Sequence, residues 1–258
     1  MIRPCKFYPT MYRGLLAAKE EFNSINSSFR PKITHAQKLF FERNKISDQE
    51  YINRCDELLD VVLYRDEAAY FTLEYFHSIR NTKDFCQDHI KDLKIDKKTD
   101  LFLYQVLLDQ YLLLTAATLE FYIKYIYYFC LKKVFINKSI SQILNEIKYA
   151  KSQRATAVYN YIVNNVTDRS EEEPILWGDK LRRLRNLTAH EKLVEIESIK
   201  RTNLLNETRE EPALEGEQIG HFLENEFQSH LVLMFQAMNC LLYGIPWVPG
   251  EFHEKIYG

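Results

Sequence analysis

An all-α fold is what this sequence predicts, and three observations predict it. Only seven glycines and seven prolines occur in 258 residues, so breaks are few and long helices fit between them. Leu, Glu, Lys, Ile, Phe and Tyr dominate while Val is scarce, which leaves few β-branched runs. Apolar residues recur at three- and four-residue steps, as in Ile52, Cys55, Leu59 and Val62.

The elements follow in order. A first helix is expected over about Pro9 to Asn26, ending in the polar Asn-Ser-Ile-Asn-Ser-Ser stretch, and a short one near Thr34 to Asn44. Ser47-Asp48-Gln49-Glu50 has the spacing of a capping box, with the Ser47 side chain capping a backbone N–H and Glu50 capping back. It opens a long helix. The charged stretch from Lys91 to Asp100 is the best boundary in the chain, dividing an N-terminal helical region, 1–98, from a bundle of about four helices over 99–258. Thr99 or Asp100 caps the next helix, which runs to about Phe135. After a break, a helix is expected near Lys151 to Val166. Ser170 to Glu173, followed by Pro174, reads as a second capping box opening a helix through about Glu197. Arg201 to Glu217 is polar, contains Pro212 and Gly216, and reads as a loop. The last helix covers about Gln218 to Tyr243, with Phe222, Leu223, Phe227, Leu231, Met234, Met238 and Leu241 on its apolar stripe. Gly244 is placed to cap it and Pro246 to stop it.

The bulk composition excludes several classes. A net charge of -2 gives no global positive field, so nucleic acid would have to meet a local basic patch. Five widely spaced cysteines without a Cys-x-x-Cys point to a reducing compartment, hence a cytoplasmic protein. The N-terminal Met-Ile-Arg-Pro-Cys-Lys lacks the apolar run of a secretory signal. Leu101 to Phe135 is the most apolar stretch. Asp109, Glu120, Lys124 and Lys132-Lys133 interrupt it, so a buried core helix is expected and no membrane partner. No Gly-x-Gly, no G-x-S-x-G and no His-Glu-x-x-His occurs. A lone Glu74-x-x-His77 lacks the second copy that di-iron bundles need. His221 and His230, near Glu224 and Glu226, have metal-ligand chemistry, but Glu226 and His230 one turn apart are the commoner helical pair. No metal and no cofactor are therefore expected.

One segment stands apart. Asp179 to His190 places Lys180, Arg182, Arg183 and Arg185 within six residues, with the His190 imidazole just beyond. Leu181, Leu184 and Leu187/Thr188 form its buried stripe, while Asn186 and His190, four apart, share a face. In an ideal α-helix Arg185 and His190, five apart, project about 140° from each other. They converge poorly on one phosphate unless the helix distorts; a long Arg side chain partly closes the gap, and two copies meeting across a two-fold axis close it better.

Arg185-Asn186-Leu187-Thr188-Ala189-His190 resembles the R-N-x-x-x-H form of the motif of the HEPN superfamily. The Trp177-Gly178-Asp179-Lys180-Leu181 lead-in is similar to the helix that carries that motif, and Thr115 to Lys124 to an earlier helix of the bundle. The resemblance spans about residues 99 to 258. A bare Arg-x4-His is expected by chance about 0.4 times in a chain of this composition, and the form with Asn about 0.02 times. Arg30 to His35 is a second bare match, with Pro31 after its Arg and no Asn.

The resemblance implies a HEPN-like helical bundle, often dimeric, and in many members a metal-independent endoribonuclease acting as a toxin or phage-defence effector. It implies Arg185, Asn186 and His190 as catalytic residues. Lys180, Arg182 and Arg183 would hold flanking phosphates, and Glu120 would orient an arginine unless it is an ordinary surface glutamate. The implied partners are RNA, a second copy of the chain, and an antitoxin or nucleotidyltransferase. Members coupled to such a transferase carry H-x-Y, and here position 192 is Lys192, which departs from that route. Two other readings stay open: a HEPN-like module that binds RNA or nucleotide without cutting, and a helical protein–protein adaptor.

Overall fold

The structure, a computed structural model, describes residues 30–81, 99–168, 175–188, 197–202, 208–214 and 217–246. Among them are seven helices: α1 (30–43), α2 (Gln49–Asn81), α3 (Thr99–Leu131), α4 (Ile140–Lys148), α5 (Gln153–Asn165), α6 (Trp177–Asn186) and α7 (Ile219–Tyr243). The mostly helical fold matches expectation. The expected helix over Pro9 to Asn26, most of the Lys91 to Asp100 boundary and the Ser170 box lie outside the described residues.

Several expectations are corrected. The N-cap of α2 is Asp48, whose Oδ1 accepts a bond from Tyr51 N at 3.1 Å, so the box has the right place and the wrong residue. α3 ends at Leu131 rather than Phe135. α4 was not expected. It is opened by a full capping box in which the Ser139 side chain accepts from Gln142 N and the Gln142 side chain accepts from Ser139 N. Of the helix expected to run through about Glu197, the described residues show an α-helix over Trp177–Asn186 continued by Leu187 and Thr188, and Glu197 begins a strand. The polar stretch read as a loop holds most of a three-stranded antiparallel sheet of order β1-β2-β3: β1 (Glu197–Thr202), β2 (Thr208–Leu214) and β3 (Glu217–Gln218). Its register pairs Glu197 with Ala213 and Thr202 with Thr208, then Leu214 with Glu217.

The chain forms two compact units, 1–64 with 118–179 and 229–258, and 65–117 with 180–228. α2, α3, α6 and α7 each contribute residues to both.

The first unit explains the abundance of tyrosine. Phe40, Phe41, Tyr51, Tyr125 and Phe129 form an aromatic cluster, with Phe40 and Phe129 centred 4.8 Å apart. Buried phenols need a partner for their O–H, and those of Tyr51, Tyr122 and Tyr125 find one. Tyr51 donates to Phe129 O at 2.6 Å, Tyr122 to Met234 O at 2.7 Å, and Tyr125 to Gln37 Oε1. The expected stripe of α7 is partly visible here, with Met234, Met238 and Leu241 buried. Cys55, Cys130 and Cys240 are free thiols, each pushed up to about 12, chiefly by burial.

In the second unit Leu107, Leu108, Tyr111 and Leu112 of α3 are buried, as are Ala69 and Leu73 of α2, Leu181 and Leu184 of α6, and Phe222 and Leu223 of α7. Among the described residues one stretch, Gln105–Leu131, is long and apolar enough to cross a membrane, and 56% of it is buried inside the protein. That burial is what a core helix requires.

Candidate functional site

The motif helix α6 starts from a tightly fixed point. Gly178 N donates to Val166 O at 2.7 Å. A Cβ on Gly178 would lie 2.7 Å from that same oxygen and 2.8 Å from Leu119 Cδ2, so only glycine permits the approach. The buried Asp179 carboxylate accepts from Thr167 Oγ1 at 2.7 Å and from Asp168 N at 3.1 Å. Trp177 is buried, its ring 5.4 Å from that of His230.

Five residues of the predicted site, Lys180, Arg182, Arg183, Arg185 and Asn186, then follow on this helix. Leu181 and Leu184 are buried as expected, whereas Leu187 and Thr188 are only half-buried. Lys180 and Arg182 are half-buried and Arg183 is exposed. Lys180 Nζ lies 3.6 Å from Glu226 Oε1 and 5.0 Å from the centre of the Phe222 ring. Arg185 and Asn186, half-buried, close the α-helical part. Leu187 and Thr188 continue it as a π-helical turn, in which hydrogen bonds span five residues rather than four. His190 lies outside the described residues. Glu120 is half-buried on α3, in the first unit.

Carboxylates that sequence reasoning passed over lie beside this segment. Asp109 Oδ1 accepts from Gln105 Nε2 at 2.8 Å and from Thr188 Oγ1 at 3.5 Å. Burial raises the Asp109 carboxyl above its ordinary value, and the two donors pull it back. Tyr111, fully buried, has its phenol raised well above the ordinary value by burial first, then by the charges of Glu226 and Asp66. A signal for these groups existed: Asp109 and Glu226 are carboxylates set among apolar helix positions, where an ionised group needs a partner. In sequence Asp109 counted only as an interruption of an apolar run, and Glu226 as the helical neighbour of His230.

The other sequence candidates resolve in part. Arg30 makes an exposed ion pair with Asp60 at 3.2 Å, and His35 is exposed. The side chains of Glu74, His77, His221 and Glu224 lie outside the described set. Among the described residues no three His, Cys, Asp or Glu side chains gather as a metal site. No family model, curated protein or solved structure matches the chain.

Proposed function

We propose that the chain is a metal-independent endoribonuclease of HEPN type, with Arg185 and His190 acting on one phosphodiester. The observation that supports this most is the π-helical turn at Leu187-Thr188, inside the Arg-Asn-x-x-x-His segment. Residues five apart diverge by about 140° on an α-helix. A turn closed by bonds between residues five apart reduces that divergence. Two copies of the motif meeting across a two-fold axis would close what remains of the gap. π-helical turns inside helices are frequent at functional sites.

The chemistry then needs little else. RNA brings its own nucleophile, the 2′-OH. The imidazole of His190 takes or returns a proton near neutral pH. The planar fork of Arg185 grips the phosphate and stabilises its extra charge in the transition state. Asn186 positions the phosphate or the imidazole, while Arg182 and Arg183 meet neighbouring phosphates. Lys180 joins them only by leaving Glu226. A homodimer, a cytoplasmic location and a role in defence or toxicity belong to the same proposal.

The test is cleavage of single-stranded RNA with chelator present. Wild type is expected to leave 2′,3′-cyclic phosphate ends and to spare DNA, and Arg185→Ala and His190→Ala to lose at least a hundredfold in rate. Variants that cut as fast as wild type would overturn the reading. Sedimentation at micromolar concentration tests the dimer separately.

Tight RNA binding with no turnover would instead select a module that binds RNA without cutting.

A further inference from the structure

We propose a binding site for a small amphipathic anion in the first unit, in a cleft of about 240 Å³ beside the C-terminal ends of α1 and α7, with the guanidinium groups of Arg43 and Arg154 as its anchors. Leu39, Leu242 and Tyr243 supply apolar surface there, and Arg43, Asn44 and Arg154 supply the polar groups. Two full positive charges therefore line a small cleft whose lining contains no carboxylate. Several other cations of this unit are matched by carboxylates: Lys132 pairs with Asp48, Lys133 and Lys138 with Glu146, and Arg54 with Glu57.

Arg154 is held in place before any ligand arrives. Its guanidinium lies 4.8 Å from the centre of the Phe40 ring. On the α7 side, Gly244 adopts φ +64, and a Cβ there would come within 3.3 Å of Arg154 Cγ. The missing side chain leaves room for the arginine stem, and the turn itself needs the left-handed conformation that glycine allows. Arg154 Nε is buried with no hydrogen-bond partner, so donation to a ligand falls to the terminal nitrogens. Asn44 Nδ2 is already committed to Phe40 O at 2.7 Å, which leaves anion recognition to the two arginines. Such preorganisation lowers the ordering cost of binding.

Helix C-termini favour nearby cations. That accounts for the sign of the charge at this end of α1 and α7. It does not account for two guanidinium groups sharing a cleft with apolar walls. A carboxylate or phosphate accepts the guanidinium fork in the same geometry, and a short apolar body suits the remaining wall. The volume falls below the roughly 300–1,000 Å³ of drug-sized pockets, so the ligand is small.

The experiment is calorimetric titration of the full chain with benzoate, phenyl phosphate and neutral benzyl alcohol. At least one anion is expected to bind, and to bind at least tenfold more tightly than benzyl alcohol. The tighter anion identifies the headgroup. Arg43→Gln and Arg154→Gln are each expected to weaken it at least tenfold, and Arg154→Lys, which keeps charge but not the fork, to leave it weakened. Arg43 is exposed, so its variant carries the test if the Arg154 variants melt early. No binding of either anion, equal binding of benzyl alcohol, or wild-type affinity in Arg43→Gln would overturn the proposal.

Discussion

Lys180 Nζ lies 3.6 Å from Glu226 Oε1 while Phe222 presents its ring 5.0 Å away, so α7 holds the first cation of the motif helix. With its side chain 38% exposed, Lys180 remains within reach of a ligand, but a phosphate must compete with Glu226 for it. Glu226→Gln removes the competing charge and keeps the shape. The expected outcome is tighter binding of single-stranded RNA and a salt dependence steeper by about 0.7 in log K against log salt, the increment for one added phosphate contact. Fluorescence anisotropy across a salt series measures it. An unchanged slope would mean that Lys180 takes no part in binding.

Asp109 reaches the π-helical turn through Thr188 Oγ1. Its carboxyl is raised by burial, so protonation favours the folded state. That contribution is present below the unfolded value, near 3.8, and is lost as pH rises through the higher folded value. At neutral pH the ionised group is therefore a cost. Asp109→Asn removes the charge and keeps an oxygen for Gln105 and Thr188. It is expected to match or exceed wild-type stability at pH 7, by no more than about 1 kcal/mol because solvent screens a partly exposed group. The gain should shrink in urea melts below pH 4. Asp109→Leu removes the acceptor and is expected to reduce RNA cleavage, whereas Asp109→Asn retains it.

What could be read in the sequence was what periodicity and caps encode locally. The apolar steps of α2 begin beside the box expected to open it, and the stripe of α7 ends where Gly244 and Pro246 allow, that helix lying within a residue or two of expectation. The sheet was not legible. β1 reads Glu-Ser-Ile-Lys-Arg-Thr and β2 reads Thr-Arg-Glu-Glu-Pro-Ala-Leu, with charges where alternation should be and a proline in the second strand. Strand formation there depends on cross-strand pairing, which local propensity does not reveal. α4 was missed because its nine residues, Ile140–Lys148, fall between longer apolar signals. The site was legible as a list of cations. Which cations meet carboxylates was not, since Lys180–Glu226 and Thr188–Asp109 join positions 46 and 79 residues apart.

Gly178 is the tightest point in the approach to the motif. An alanine Cβ would meet Val166 O at 2.7 Å and Leu119 Cδ2 at 2.8 Å. The first obstacle is backbone, which also accepts the hydrogen bond from Gly178 N, so relief requires moving the start of α6. Gly178→Ala is expected to destabilise by about 1–3 kcal/mol, as overpacking typically does, seen as a lower midpoint in thermal or urea melts. Leu119→Ala in the same chain relieves only the side-chain contact and should not restore the midpoint. A wild-type midpoint for Gly178→Ala would show that α6 can shift at little cost.

Glu146 anchors the connection between α3 and α4. It accepts bonds from Lys138 Nζ and from Tyr127 Oη, and Lys133 Nζ lies 3.4 Å away. The Lys138 bond first, then the Tyr127 bond, hold its carboxyl down to about 2 from an ordinary 4.5. A depressed carboxyl favours the folded state when ionised. The contribution is therefore present above pH 4.5 and is lost as pH falls toward 2. Glu146→Gln should lose stability at neutral pH and show a shallower acid limb between pH 4.5 and 2 than wild type, measured by urea melts across that range. Lys138→Met should flatten the same limb by removing the principal donor. If both variants keep the wild-type slope, the acid sensitivity of the fold belongs to other carboxylates, and Glu146 holds the connection by hydrogen-bond geometry alone.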